Sequence, residues 1–262
     1  MEVIIQQNDD AANDFAARVI ARKLRGKPKL VLGLATGRTM ERVYAKLAEM
    51  HRQEGLDFSL CQTFNLDEYV GLEPSNEDSY HFFMKKHLFS KVNIDIRNTH
   101  LPNGMAADLG KECEDYERSI SGSGGIDLQL LGIGADGHIG FNEPLSALRS
   151  RTREKALTPA TIRQNGPLFK SPNLMPKRGM TMGVGTILES RQCLLLATGS
   201  EKAEILARAV EGPITSMISA SALQLHQHCC VVTDEAAASK LQEKDYYRWI
   251  FENEPEWADF RK

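Results

Sequence analysis

The segment LATGRT carries residue types that bind phosphate. An apolar run ends in a turn at Gly37, and the N–H groups and dipole at the start of a following helix attract an anion. Thr36 and Thr39 add hydroxyl groups, and Arg38 adds a positive charge. The spacing does not fit the nucleotide-triphosphate loop, in which four residues separate two glycines and a lysine follows the second. The alternative is an ordinary glycine turn in which Thr39 caps the helix.

The segment FNLDEY places two carboxylates just beyond another apolar run. A carboxylate at the end of a buried strand is partly removed from water, which makes it a stronger proton acceptor. Asp67 or Glu68 could therefore act as a general base. The alternative is that the pair caps a helix or lies in a solvated turn.

The segment GIGADGHIGFNEP gathers Asp136, His138 and Glu143 within eight residues. A histidine flanked by carboxylates is a general acid/base unit, because the negative charges stabilise its protonated form. The alternative is a structural histidine with a capping aspartate. The segment also contains a formal G-x-G-x-x-G. In a dinucleotide-binding motif a helix begins at the third glycine, but here Pro144 interrupts the stretch that would have to be that helix. The acidic residue that the motif requires about 20 residues later is also missing. A dinucleotide cofactor is therefore not expected.

Metal binding is the less favoured interpretation of these side chains. His138 and its neighbouring acids could hold a cation, and the run from His226 through His228 to Cys229 and Cys230 could suggest zinc. The latter run lacks a second ligand pair at zinc-site spacing. The sequence thus predicts a site with no metal and no cofactor.

The composition is that of an ordinary globular protein. The chain has 262 residues, 26% of them charged, and a formal net charge of −3, with a pI near 6.2. These values exclude long disorder and do not favour a nucleic-acid binder, whose pI usually exceeds about 9. The sequence contains no run of about 18 apolar residues, so no membrane-spanning helix is expected. The N-terminus does not resemble a secretory signal. Five cysteines without a disulfide pattern favour a reducing, cytoplasmic compartment.

The elements that must position these side chains alternate between apolar strands and amphipathic helices. Because the strands are apolar on both faces, a mainly parallel sheet with helices on both sides is expected, and ligands of such sheets bind at the carboxyl ends of the strands. We expect one α/β domain over residues 1–262, with a C-terminal tail at 245–262. The segment 158–178 is expected to be irregular and to form a lid; the alternative is an ordinary surface excursion. Strands are predicted at 3–5, 30–36, 59–66, 126–133, 180–185, 192–198 and 229–233, and helices from Asp9 or Asp10 to 24 and at 39–50, 79–89, 107–120, 201–210 and 215–223.

Taken together, the motifs resemble the glucosamine-6-phosphate deaminase family, also called the glucosamine/galactosamine-6-phosphate isomerases. The resemblance is carried by LATGRT, FNLDEYVGL, GIGADGHIGFNEP, SRTREK, MTMGVGTIL, TGSEKA and SALQLH, between about residues 30 and 235. It implies a single Rossmann-like domain without metal or nicotinamide. The implied reaction converts D-glucosamine 6-phosphate and water to D-fructose 6-phosphate and ammonia.

The resemblance also implies roles for individual residues. Asp67 corresponds to the base that moves a proton between C2 and C1, and His138 to the acid/base that opens the sugar ring, with Asp136 and Glu143 adjusting its charge and orientation. The loop of Thr36, Gly37, Arg38 and Thr39 and the lysine of TGSEKA, Lys202, correspond to the phosphate site. The expected ligand is a small amino-sugar phosphate.

Several positions depart from the family pattern. The phosphate loop of the family usually reads TGSTP, whereas this chain has TGRTM. Many members also have a lid arginine that contacts the phosphate, and Pro167 stands in its place here. Arg38 is the leading candidate to replace that arginine, ahead of Arg163, Lys170 and Arg178. Ser146, Arg153 and Lys155 match the site at which allosteric, oligomeric members bind N-acetylglucosamine 6-phosphate; the alternative is a solvated basic face. A homo-oligomer is the corresponding assembly.

Rival functions on this scaffold are galactosamine-6-phosphate deaminase, 6-phosphogluconolactonase and a non-catalytic sugar-phosphate sensor. A lactonase would share the phosphate loop and the histidine but has no need of a base at C2. A sensor would usually lose catalytic residues and carry a helix-turn-helix segment, for which this chain has no room.

Overall fold

Seven parallel strands form the central sheet, in the order β1-β10-β9-β6-β2-β3-β5. The computed structural model describes residues 1–171 and 174–261. The strands are β1 (Glu2–Gln6), β2 (Val31–Leu34), β3 (Gln62–Asn65), β5 (Thr99–His100), β6 (Leu128–Leu131), β9 (Cys193–Ala197) and β10 (Cys229–Asp234). Every residue of β6, β9 and β10 is buried, as expected for strands covered on both faces. The predicted α/β class and mainly parallel sheet are confirmed.

In the described part of the chain, eight α-helices connect and flank the strands. They are α1 (Asp9–Gly26), α2 (Arg38–Glu54), α3 (Tyr80–His87), α4 (Leu109–Gly122), α5 (Pro159–Asn165), α6 (Val184–Leu188), α7 (Ala203–Val210) and α8 (Lys244–Asn253). The cap predicted for the first helix is wrong by one or two residues, because the Asn8 side chain accepts the hydrogen bond from the Ala11 N–H. Among the described residues, no helix is long and apolar enough to cross a membrane.

A second, antiparallel sheet of three short strands lies beside the central one. It has the order β4-β8-β7, with β4 at Asp67–Tyr69, β7 at Arg153–Ala156 and β8 at Arg178–Thr181. The prediction of a strand at 180–185 in the parallel sheet is therefore wrong: the strand ends at Thr181, and helix α6 follows Gly183. Met180, Met182, Val184 and Ile187 are buried apolar residues of this stretch, and a short apolar run does not distinguish a strand from a short helix.

The predicted helix at 215–223 is replaced by a turn and a 3-10 helix over Ser219–Leu225. The Ser221 hydroxyl accepts from the Thr215 N–H at 2.9 Å and lies 3.1 Å from the Thr215 carbonyl oxygen. Serine side chains that bond to nearby backbone in this way compete with the hydrogen bonds of an α-helix.

The predicted lid is more ordered than its sequence indicates. The Thr158 hydroxyl accepts the Thr161 N–H and caps α5, and a 3-10 helix follows at Gly166–Leu168. The expectation of an irregular segment is wrong for this part, because Pro159 occupies the first helical position, where its fixed φ is compatible with a helix. Residues 172 and 173 of the predicted lid lie outside the described residues.

The C-terminal tail packs onto the main core. Trp257 is buried against Phe15 of α1, with ring centroids 5.7 Å apart. Its indole N–H donates to the Glu2 carboxylate on β1 at 2.6 Å. The tail thus covers the outer end of the sheet next to β1.

Candidate active site

A pocket of about 590 Å³ opens at the carboxyl ends of the central strands. The loops after β2, β3, β6 and β9 line it, because these strands are neighbours in the sheet in the order β9-β6-β2-β3. Its walls include seven of the residues selected from the sequence: Thr36, Gly37, Arg38, Thr39, Asp67, His138 and Lys202. The structure therefore brings segments more than 160 residues apart around one cavity.

One end of the pocket is suited to an anion. Gly37, with φ at 114°, begins α2 without a side-chain cap, so the first N–H groups of the helix lack intrahelical partners. Gly199, with φ at 92°, likewise begins the 3-10 helix that leads into α7. These two glycines follow β2 and β9, on either side of β6.

Lys202 is the last residue of the 3-10 helix that Gly199 begins. Its ammonium group donates to the Ile133 carbonyl, just beyond β6, at 2.8 Å. Burial lowers the pKa of Lys202. An anion bound here would restore part of the stabilisation that the ammonium loses with its water.

His138 lies on the loop after β6. Its Nδ1 is 2.6 Å from the Asp136 carboxylate and 3.7 Å from Glu143, which leaves Nε2 for the pocket. Burial favours the neutral form of Asp136, but the hydrogen bond and charge of His138 outweigh it, so that the pKa of Asp136 is lowered. The imidazole lies over Gly134, where an added Cβ would be 2.2 Å from the ring. The loop thus fixes both the position of the ring and the nitrogen that carries its proton.

Asp136 and Glu143 touch His138 but do not line the pocket. The Glu143 carboxylate accepts from the backbone N–H and the hydroxyl of Thr158, at 3.0 and 3.1 Å. Since Thr158 caps α5, Glu143 connects the imidazole to the start of the lid helix.

Asp67 is the carboxylate that faces the pocket after β3. Its side chain is buried, and burial, followed by the charge of Glu68, raises its pKa to about 8. Glu68 points elsewhere and accepts from the N–H groups of Tyr69, Tyr80 and His81 and from the His81 ring, at 2.7 to 3.1 Å. The two adjacent acids therefore have different surroundings: Glu68 holds the start of α3 in place, and Asp67 is available to a ligand.

The cluster of Asp136, His138 and Glu143 offers three ligand atoms within 4.8 Å of one another. Two ligands at about 2.1 Å from a tetrahedral ion would lie roughly 3.4 Å apart, whereas the Asp136 and His138 atoms are 2.6 Å apart. The observed geometry is that of a hydrogen-bonded pair, which would have to separate to hold an ion.

The zinc interpretation of the run His226 to Cys230 is wrong. His226 Nε2 bonds to the Ser190 carbonyl at 2.7 Å, and its Nδ1 accepts the His228 N–H at 3.0 Å. Cys229 and Cys230 are consecutive in β10, so their thiols point to opposite faces of the sheet.

Comparison with known proteins shows the family to which the chain belongs. Residues 6–232 match the family described as glucosamine-6-phosphate isomerases/6-phosphogluconolactonase. The chain belongs to this family. It is 48% identical over 257 residues to a glucosamine-6-phosphate deaminase of Arthrobacter sp. (strain FB24), covering 98% of this chain and 99% of the relative. It is 49% identical to one of Clostridioides difficile (strain 630), covering 94% and 99%.

Solved structures show the same family fold. A monomeric glucosamine-6-phosphate deaminase superposes with a TM-score of 0.90 at 42% identity, covering 92% of this chain and all of that one. A 6-phosphogluconolactonase from Leishmania guyanensis has a TM-score of 0.72 at 20% identity, with 92% and 98% covered. The second likeness establishes only the shared fold.

The family resemblance singled out further cations, and the structure separates them. Lys170 pairs with Glu77 at 2.8 Å and Arg178 with Glu154 at 2.5 Å. Arg163 does not line the pocket, whereas Arg38 does. Arg38 is therefore the best placed of the four to reach a ligand.

The three residues that match an effector site are brought together only in part. The Arg153 guanidinium donates to the Ser146 hydroxyl at 3.0 Å and to the Asn142 side-chain oxygen at 2.9 Å. Lys155 lies two residues along β7 and so on the same face as Arg153. The alternative of a solvated basic face is wrong for Arg153, because burial lowers its pKa and its guanidinium is hydrogen-bonded within the protein.

The pocket also contains residues that the sequence did not single out. Asn165 of α5 donates to the Tyr69 hydroxyl at 3.1 Å, and the Ala135 N–H donates to Gln164 at 3.1 Å, so the lid closes over one side. Tyr80, Gln164 and Lys86 line the same cavity. The sequence offers no signal that would have selected these side chains.

Proposed function

We propose that the protein catalyses the conversion of D-glucosamine 6-phosphate and water to D-fructose 6-phosphate and ammonia. The observation that carries this proposal is the placement of Asp67 and His138 in one pocket that Gly37, at the start of α2, and Lys202 also line. Names of relatives that are 48% and 49% identical support the same reaction.

The proposed reaction begins with ring opening at His138. Its Nε2 takes the proton from the C1 hydroxyl and delivers one to the ring oxygen, which gives the open-chain aldehyde. Asp136 and Glu143 stabilise the positive charge that the imidazole carries between these transfers.

Asp67 then moves the carbon-bound proton. Its carboxylate takes the proton from C2 and returns it to C1, while the C1 oxygen gains a proton and the amino nitrogen loses one, which leaves a hydroxyl at C1 and an imine at C2. Water adds to C2, and ammonia departs to give the ketose. A carboxylate with its pKa raised to about 8 is a stronger proton acceptor than one in water, as removal of a proton from carbon requires.

The phosphate is proposed to bind at Thr36, Gly37, Arg38, Thr39 and Lys202. Backbone N–H groups, hydroxyls and two cations there would hold the anion away from the reacting carbons. Binding energy from this remote group fixes the orientation of C1 and C2.

A buried base favours deaminase over lactonase chemistry. Hydrolysis of a lactone removes no proton from carbon, so it gives no role to an aspartate held out of water. A galactosamine substrate differs only at C4 and is the closer rival.

We infer that one chain forms a complete site, and the monomeric glucosamine-6-phosphate deaminase that is 42% identical supports this inference. The homo-oligomer expected from the resemblance is not needed to complete it. All five cysteines are buried free thiols, which supports a reducing compartment such as the cytoplasm.

The test is ammonia release from glucosamine 6-phosphate and from galactosamine 6-phosphate. Asp67→Asn should reduce release by several orders of magnitude with the fold retained by circular dichroism, and the exposed Asp245→Asn should not change it. Faster release from the galactosamine substrate would assign the other epimer. Normal turnover by Asp67→Asn would remove this residue from the role of base.

A further inference from the structure

The guanidinium of Arg153, on β7, contacts two residues of the catalytic loop, defined here as residues 136–146. It donates to the Asn142 side-chain oxygen at 2.9 Å and to the Ser146 hydroxyl at 3.0 Å. These residues lie on either side of Glu143, whose carboxylate faces the His138 ring. Arg153 thus holds the segment that carries one of the acidic partners of the imidazole.

The Asn142 contact is fixed in its direction. The Asn142 amide nitrogen donates to the carbonyls of Ile139 and Met182, at 2.9 and 2.8 Å, so its oxygen must face Arg153. Asn142 is fully buried. Loss of the guanidinium would leave a buried acceptor without its donor, a loss that costs more than the bond itself contributes.

The Ser146 contact holds a strained turn. Leu145, the residue before it, has a φ of 71°, which residues other than glycine rarely adopt. The Leu145 N–H donates to the Ser216 carbonyl at 2.8 Å, and the Ser146 N–H donates to the Glu143 carbonyl at 3.0 Å. Such a conformation persists only where surrounding contacts maintain it, and Arg153 supplies one of them.

Arg153 also lies in register with the proposed base. In the small sheet, Asp67 pairs with Thr181, and Thr181 pairs with Arg153. The Thr181 hydroxyl accepts the Phe141 N–H at 3.0 Å. The row of paired residues that contains Asp67 is therefore hydrogen-bonded to the catalytic loop at two consecutive positions. Thr181 bonds to Phe141, and Arg153 bonds to Asn142.

We propose that Arg153 is a positioning residue that fixes the His138–Glu143 unit relative to Asp67. The inference rests on the proposed function and extends it to a residue that does not line the pocket. It predicts that Arg153 acts on the rate of the chemical step, because a misplacement of about 1 Å between reacting groups costs up to roughly a hundredfold in rate.

The kinetic test compares Arg153→Met, Arg153→Lys and Ser146→Ala with the exposed Arg149→Ala as control. With glucosamine 6-phosphate, Arg153→Met should lower kcat at least about tenfold with little change in KM, and Ser146→Ala should show a smaller loss in the same direction. Lysine cannot reach both acceptors with a planar fork, so Arg153→Lys should recover only part of the rate. Added methylguanidinium should restore activity to Arg153→Met, and Arg149→Ala should match the wild type.

A second measurement does not depend on the substrate. Amide hydrogen exchange of peptides covering residues 136–146 should accelerate in Arg153→Met and not in Arg149→Ala. Unchanged exchange and an unchanged kcat in Arg153→Met would overturn the positioning role. So would a variant that keeps its basal kcat and loses only a response to N-acetylglucosamine 6-phosphate, because Arg153 would then serve an effector alone. A wild type that releases no ammonia would refute the proposed function, and the exchange result would still decide the role of Arg153.

Discussion

The substitution Asp67→Asn should stabilise the protein while removing its activity, and the gain in stability should grow with pH. Burial, and then the charge of Glu68, raises the pKa of Asp67 from 3.8 to about 8. The folded state therefore keeps the proton up to about pH 8, whereas the unfolded chain releases it near pH 4. Folding stability contributed by the protonated carboxyl is thus complete below pH 4 and is lost as pH rises towards 8.

The size of the effect follows from the pKa difference. One pKa unit corresponds to about 1.4 kcal/mol. Because the unfolded chain releases the Asp67 proton more readily than the folded state, this residue lowers the free energy of unfolding by roughly 2 kcal/mol at pH 5 and about 5 kcal/mol at pH 8. Asparagine has nearly the same shape and carries no charge, so its own cost or benefit does not vary with pH. The buried charge is therefore measured by how the stability difference between Asp67→Asn and the wild type changes with pH, and not by its value at any one pH.

Urea unfolding at pH 5, 6, 7 and 8 measures this slope. The advantage of Asp67→Asn over the wild type should increase by about 3 kcal/mol across the range, while ammonia release is lost. Asp245→Asn is the matched control, because the Asp245 side chain is fully exposed and its replacement removes no buried charge. Parallel stability curves for Asp67→Asn and the wild type would show that Asp67 is solvated and would refute the argument for a buried base.

Further predictions concern rate and affinity. The wild-type kcat/KM should rise from pH 6 to about 8, since the base must be ionised to accept a proton; a plateau already reached at pH 5 would contradict this in initial-rate measurements. Arg38→Ala and Lys202→Ala should each raise KM by about ten- to a hundredfold with a smaller change in kcat. Arg42, like Arg38, lies on α2, but it forms an exposed ion pair with Asp9 of α1, so Arg42→Ala should leave KM unchanged. Gly134→Ala should lower kcat strongly, because its Cβ would meet the imidazole at 2.2 Å, whereas Gly26→Ala, with open space around it, should match the wild type in the same assay.

The sequence predicts the central sheet well because its strands carry a physical signature. Residues of β6, β9 and β10 are buried on both faces, so they appear as uninterrupted apolar runs. The functional loops follow from the same rule, since side chains at the carboxyl ends of parallel strands meet at one edge. Lys202 was expected at the phosphate site only from the family resemblance, and the same rule explains how it comes to line one pocket with Thr39, far away in sequence.

The small antiparallel sheet could not be predicted in this way. Its strands have three or four residues, and β4 pairs with β8 more than 100 residues later in the chain. Strands this short show no period, and FNLDEY resembles a turn when it is considered alone. The contacts of the Arg153 side chain could not be predicted for the same reason: its buried acceptors, Asn142 and Ser146, are brought near it only by the placement of β7 beside the catalytic loop.

The division of labour between Asp67 and Asp136 depends on structure rather than on residue type. Both are aspartates after a strand of the same sheet, yet burial raises the pKa of one to about 8, while a histidine at 2.6 Å lowers that of the other. Paired acids whose surroundings shift their pKa values apart are the arrangement by which an enzyme performs acid and base chemistry at one pH. A substrate in the pocket would meet a proton acceptor at Asp67 and, at His138, an imidazole that Asp136 orients. The reaction proposed here requires that pairing, because ring opening and proton transfer from carbon make opposite demands on the groups that perform them.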